Sequence, residues 1–163
     1  MAGVKGDFAA LRTMQQQLAA IGRGALRREV NAHCASIADM EITYGFARGH
    51  DPYGKAWAPR AFGGQPLQGF RRYVTVAPNA TGFRVDARHK AAAVQQYGAT
   101  IKAKTRRKVQ GFLLFRTPTG WASKKSVTIP ARQYVPEFAL PGGWTRQFED
   151  AAALLLKYRL APK

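Results

Sequence analysis

The sequence is poor in the residues from which reactive centres are usually built. Cys34 is its one cysteine, so no disulfide can form within the chain and a reducing compartment is the default expectation. Cys34 falls in a helical pattern, where a small buried side chain is its expected role. His33, His50 and His89 lie in unrelated stretches, with no H-x-x-x-H spacing and no cysteine partner to complete a metal site. Of the nine acidic residues, the closest helical pair, Glu149 and Asp150, is adjacent and points in different directions. No G-x-S-x-G elbow occurs. No apolar run approaches the ~18 residues of a membrane span, and Met1 to Asp7 carries no apolar core of signal-peptide length. We therefore expect a soluble protein with no catalytic residue, no metal, no cofactor and no membrane partner.

What the sequence does have is positive charge. Twenty-six Lys and Arg stand against nine Asp and Glu, a net charge of +17 and a pI near 10.8. Such a field attracts polyanions. No acidic residue lies between Asp86 and Glu137, while eleven Lys or Arg do. The basic positions Lys102, Lys104, Arg106, Arg107, Lys108, Lys124 and Lys125 are candidates for facing DNA or an acidic partner. Readers of bases are missing, because no zinc-finger spacing or RNP-like motif occurs. Phe83, Phe112, Phe115 and Trp144 lie on apolar stretches and are expected in a core.

At 163 residues the chain fits one domain with a real core. Asp7 is a plausible helix cap, followed by Phe8, Leu11, Met14, Leu18 and Ile21 at helical spacing. Gly22 and Gly24 interrupt that stripe. Leu26, Val30, Ile37 and Tyr44 resume it, with Ala25, Cys34 and Met40 nearby, so either one helix bends at the glycines or two helices meet there. The helical pattern ends before Gly49.

The stretch His50 to Arg60 then turns the chain. Asp51, Pro52 and Gly54 hold the first, second and fourth places of a type I turn, and Trp57 offers an apolar anchor for the loop. Gly49 to Ala56 nearly spells a phosphate-cradling G-x-x-x-x-G-K-[ST] loop. Ala56 lacks the hydroxyl, Pro52 removes an amide, and Pro59 denies the following helix, so nucleotide binding there is rejected.

Arg72–Ala77 and Phe83–Ala87 alternate as a hairpin with Val74, Val76, Phe83 and Val85 inward. Lys90–Tyr97 reads as a short helix capped by Gly98. Thr100–Val109 reads as a strand leading to an exposed loop. Phe112–Phe115 and Trp121–Ile129, joined at Thr117–Gly120, read as a second hairpin whose arm bears Arg116, Lys124 and Lys125 and projects from the domain. The last helix carries Trp144, Phe148, Ala151, Leu155 and Tyr158 on one stripe, with Thr145 as its cap and Lys157 and Arg159 at its basic end. The expected fold is α+β: N-terminal helices over residues 1–48, a turn and loop over 49–70, an antiparallel sheet of four or five strands from two hairpins over 71–136, and a C-terminal helix over 144–160 packed on the sheet.

Three segments carry a family resemblance. They are Asp51-Pro52-Tyr53-Gly54-Lys55-Ala56-Trp57-Ala58-Pro59, then Ala92-Ala93-Val94-Gln95-Gln96-Tyr97-Gly98, then Ile129-Pro130-Ala131-Arg132-Gln133-Tyr134 before the final helix. In this order the chain resembles the phage virion morphogenesis family, the tail completion proteins of Mu-like contractile-tailed phages. That family shows a D-P-D-G-x-x-W-x-P-L turn, a Y-A-x-x-H-Q-x-G helix and an I-P-A-R-P-F segment. This sequence departs from it with Tyr53 for the acid, Arg60 for the leucine, Ala91 for the tyrosine, Gln95 for the histidine and Gln133 for the second proline.

The resemblance implies a non-enzymatic virion protein of the neck or tail end, present in the host cytoplasm during assembly. It would form a homo-oligomeric ring, a hexamer or dodecamer, and join other neck and tail proteins, with DNA contact free of sequence specificity. It also makes Asp51, Pro52, Gly54, Trp57, Gln96, Gly98, Pro130 and Arg132 structural or interface candidates, with Arg132 bridging elements or subunits. The alternative reading is a stand-alone basic protein that binds nucleic acid without sequence specificity.

Overall fold

The structure is a computed structural model that describes residues 24–60, 63–106, 109–117 and 119–161. The expected helix from Asp7 through Ile21 lies outside the described residues. The fold is α+β, with a helix towards the N-terminus, antiparallel strand pairs, and a C-terminal helix packed on strands. Two compact units can be distinguished. One comprises the described part of Met1–Asp39 with Val76–Arg84 and Gly142–Lys163; the other comprises Met40–Thr75 with Val85–Pro141.

Helix α1 (Ala25–Arg48) runs through the boundary between residues 39 and 40. It begins after Gly24, whose φ of 74° is left-handed, so the helix does not continue through that glycine. It ends where Gly49 takes φ 70° and the amides of Gly49 and His50 both donate to the Gly45 carbonyl, at 2.8 and 3.1 Å. Its buried positions are Asn31, Ala35, Ala38, Ile42 and Phe46, spaced by four, three, four and four residues. The expected stripe of Leu26, Val30 and Ile37 is only half-buried beside this face, and Met40 and Tyr44 are exposed. Alanines and an asparagine carry little weight in an apolar pattern, yet small residues are what let another backbone approach closely. Asn31 is tolerated because its Nδ2 donates to the Asn79 carbonyl at 2.8 Å.

In the first unit, that bond seats α1 on the turn between β1 (Val74–Asn79) and β2 (Gly82–Ala87). The Arg27 guanidinium donates to the Ala80 carbonyl of the same turn, through Nε at 2.9 Å and also through Nη2. Asn79 Oδ1 accepts from the Thr81 amide and hydroxyl, an Asx turn that closes the hairpin. The first strand starts two residues later than expected because Phe70–Tyr73 forms a short 3-10 helix. Val74 is fully buried, whereas Val76, Phe83 and Val85 are half-buried.

Phe83 meets Phe148 edge to face at 5.7 Å, which fixes the C-terminal helix on the hairpin. In that helix Trp144 is buried, Phe148, Ala151 and Leu155 are half-buried, and Tyr158 is exposed where burial was expected. The helix starts at Gly142 and ends at Leu160, so Thr145 sits inside its first turn and does not cap it. Arg159 in its last turn forms an ion pair with Glu29 of α1.

The second unit is built on an aromatic cluster. Phe46 lies 5.4 Å from Trp57, 6.3 Å from Phe70 and 5.6 Å from Tyr134. Phe70 also lies 5.5 Å from Tyr134 and 5.2 Å from His89. These rings come from α1, the loop after it, the 3-10 helix and the proline-bounded segment after the last strand. Phe46, Trp57, Phe70 and Tyr134 converge from these four stretches, and His89 joins them from the segment after β2.

Helix α2 (Ala92–Tyr97) precedes the basic arm. The arm consists of β3 (Ala99–Lys102), β4 (Thr105–Arg106), β5 (Val109–Gln110), β6 (Leu113–Thr117), β7 (Gly120–Lys124) and β8 (Ser126–Ile129). β3 pairs antiparallel with β8 as a stem, which the Ala103 amide extends by donating to the Lys125 carbonyl at 2.9 Å. β4–β5 and β6–β7 are separate hairpins carried beyond that stem.

The strands therefore form four two-stranded ladders where one sheet of four or five strands was expected. The expected strand Trp121–Ile129 divides at Lys125. Its half-buried positions are Ala122 on one side and Val127 and Ile129 on the other, an odd step that moves the covered face to the opposite side. Gly111, between the two hairpins, allows a crossing that a β-carbon would block at 2.7 Å from the Lys104 carbonyl oxygen. The C-terminal helix is labelled α3 below.

Candidate interaction surface

The Asp51 turn has the geometry its residues demand. The Gly54 amide donates to the Asp51 carbonyl at 3.0 Å, and Gly54 takes φ 87°. Asp51 Oδ1 accepts from the Tyr53 and Lys55 amides at 2.9 and 2.8 Å, so the carboxylate is bound up in the turn. Pro52 is half-buried at its second position. The turn returns the chain so that the Trp57 amide reaches the Gly49 carbonyl at 2.8 Å. Trp57 is buried, with its Nε1–H donating to the Gln133 carbonyl at 2.7 Å. It anchors the loop, as expected of it.

The segment Pro130–Tyr134 is fastened to α2 by two side chains. Gln96 is buried; its Nε2 donates to the Val135 carbonyl at 2.8 Å and its Oε1 accepts the Tyr134 amide at 3.0 Å. That pattern imitates a strand neighbour with one side chain. Arg132 is 8% exposed. Its Nε donates to the Ala58 carbonyl at 3.0 Å, one Nη to the Pro59 carbonyl at 3.2 Å and the other to Gln95 Oε1 at 3.4 Å. It bridges three stretches of its own unit. Gly98, at φ 72°, lies where a β-carbon would come 2.8 Å from the Ala131 amide nitrogen, so the crossing of α2 and this segment requires glycine. Pro130 is exposed.

Burial pushes the Tyr134 phenol above the usual range, with the neighbouring Tyr97 adding to the shift. A phenol held neutral in the fold contributes stability that is complete below its ordinary value of about 10 and is lost as pH rises above it. Stability should therefore fall above about pH 10, and Tyr134→Phe should flatten that fall; denaturant titrations at a series of alkaline pH values measure the slope. Burial likewise pushes the Cys34 thiol up, which keeps it protonated and poorly reactive at neutral pH.

Lys102, Lys104, Lys124 and Lys125 are all exposed on the arm, and the backbone of Arg106 lies in β4. Arg107 and Lys108 lie outside the described residues. In the β6–β7 hairpin, Leu114 is opposite Ser123 and Arg116 opposite Trp121, so these four share one face, with Phe112 next in alternation. That face is open: Phe112 is 58%, Leu114 72% and Trp121 76% exposed. Phe112 was expected in a core and is not there; Phe115, on the other face, is half-buried. The signal was present in the order Phe112, Leu114, Arg116, which places a cation on the apolar side of the alternation.

No family model, no curated protein and no solved structure matches this chain. Its chemistry is therefore read from its own residues. Among the described residues, no group of three or more His, Cys, Asp or Glu is placed to hold a metal ion, and no helix is long and apolar enough to cross a membrane. His50 Nδ1 lies 2.8 Å from the Arg48 carbonyl at the end of α1, His89 Nδ1 accepts the Ala91 amide, and His33 is exposed.

Proposed function

We propose that this chain is a structural subunit of a phage neck or tail end, acting in tail completion and head–tail joining within a ring of identical copies. The observation that carries this reading is the open face of the β6–β7 hairpin. Three large apolar side chains on a two-stranded ribbon beside exposed lysines form a contact surface looking for a partner. With a net charge of +17, two copies repel each other in most orientations. A ring solves this by joining the hairpin of one subunit to a different surface of the next, a heterologous contact. The internal use of Asp51, Gln96 and Arg132 supports a scaffold role for the segments that carry the family resemblance, since Asp51 closes its own turn and Gln96 and Arg132 each join separate backbone segments within one unit.

The same hairpin favours one second reading. An exposed tryptophan opposite an arginine, flanked by lysines, also suits stacking on single-stranded nucleic acid. Light scattering with negative-stain imaging of the purified protein separates the two. The assembly reading predicts a discrete ring of uniform diameter. A monomer at every concentration, with nucleic-acid affinity that falls steeply with salt, would favour the second.

A further inference from the structure

A cleft of about 340 Å³ in the second unit lies apart from the hairpin face, and nothing in the assembly reading uses it. Among its lining residues are Arg60, Arg72, Tyr73, His89, Gln95 and Arg132. Three arginines line it and, among the described residues, no carboxylate does, although this unit contains Glu41, Asp51, Asp86 and Glu137.

Arg132 is the telling member. It is more than nine-tenths buried, and its side chain bonds only to neutral oxygens, those of Ala58, Pro59 and Gln95. A guanidinium carries five N–H donors, so three such bonds leave two to spare. Burial, and then the Arg60 charge, pull Arg132 below the usual arginine range, yet an arginine remains protonated at any physiological pH. The cleft therefore holds a buried positive charge next to a second one, without a counter-charge among the described residues that line it.

The other groups are held ready. Arg72 donates to the Tyr73 hydroxyl at 2.9 Å and lies over the Tyr73 ring at 4.9 Å. His89 Nδ1 accepts the Ala91 amide at 3.1 Å, which puts the proton of the neutral ring on Nε2, where it is a donor. Arg60 and Arg72 are exposed and reachable from solvent, whereas Arg132 is not.

We propose that this cleft binds a phosphate group, gripped by the buried Arg132 and the exposed Arg60 and Arg72. One carboxylate would offset one of three positive charges. A phosphate monoester carries between −1.5 and −2 near pH 7, with three acceptor oxygens that match the guanidinium fork. The Arg72 guanidinium already occupies a face of Tyr73, so the site reads the phosphate and not a base. Two sources share this chemistry: a small phosphorylated molecule, whose monoester offers three terminal oxygens, and a nucleic-acid backbone, whose diesters each offer one charge and two non-bridging oxygens to the same guanidinium groups.

The test is a titration of the full chain at constant ionic strength, followed by NMR of the arginine Nε–H resonances. One arm uses inorganic phosphate and the other a thymidine oligonucleotide. Saturable shifts with phosphate are expected, weakened at least tenfold in the double variant Arg60→Ala, Arg72→Ala, whose positions are exposed and whose fold is retained. The double variant Arg146→Ala, Lys157→Ala removes the same charge from α3 and is expected to bind as the parent does. If the oligonucleotide binds more tightly than phosphate and loses that advantage in the cleft variant, the phosphate is that of a nucleic acid. If its binding is unmoved while inorganic phosphate is lost, the ligand is a small phosphorylated molecule. Absence of saturable shifts in both arms, or equal losses in the two double variants, would overturn the proposal.

Discussion

Trp57→Ala is expected to destabilise the protein by about 4 kcal/mol, in the range found for removing a buried aromatic side chain. Trp57 is 7% exposed and packs edge to face on Phe46, itself in contact with Phe70 and Tyr134, so the vacated space lies within the central cluster of its unit. The substitution also strands the Gln133 carbonyl, which accepts the indole N–H at 2.7 Å. Trp57→Phe keeps most of the packing and loses that bond, and should cost about 1–3 kcal/mol. Denaturant midpoints of the two variants separate the packing contribution from the polar one. A loss below about 1 kcal/mol in Trp57→Ala would mean that the loop after α1 is not held by this side chain, against the usual cost of such cavities.

The second large effect is on assembly. Leu114→Ser with Trp121→Ser should abolish ring formation while changing the stability of the subunit by no more than about 0.5 kcal/mol, as is usual for exposed positions. Both side chains stand in solvent on the open face of the hairpin, so their loss removes the proposed contact area and leaves no cavity within the subunit. Light scattering of the double variant gives the mass, and a thermal or denaturant melt of the same sample checks the fold. Rings of unchanged size in a stable double variant would place the subunit contact elsewhere.

Local chemistry was legible in the sequence because single residues determine it. Asp51, Pro52 and Gly54 specified their turn, Gly49 the end of α1 and Gly98 the end of α2, and each stands where such residues satisfy or release backbone groups. Alternation located the first hairpin and helical spacing the last helix, with ends displaced by a few residues. The α+β class followed from these.

What escaped depends on partners distant along the chain. Arg132 was legible as a candidate only through its motif, whereas its bonds reach back to Ala58 and Pro59 across more than seventy residues. The change of covered face at Lys125 is a single-residue shift in phase, which an apolar-run reading of Trp121–Ile129 passes over. The meeting of Arg60 and Arg72 with Arg132 joins three separate stretches, and no spacing rule connects them.

The claim that the hairpin face is a subunit contact can be tested most directly through tryptophan accessibility. The chain has three tryptophans; Trp57 and Trp144 are buried, at 7% and 4% exposure, and Trp121 is 76% exposed. Acrylamide quenching therefore reports chiefly on one indole. If the face is covered in the ring, the readily quenched fraction seen in dilute subunits should disappear as the protein assembles with rising concentration. A Trp121 signal quenched as readily in the assembled protein as in the dilute subunit would contradict the claim.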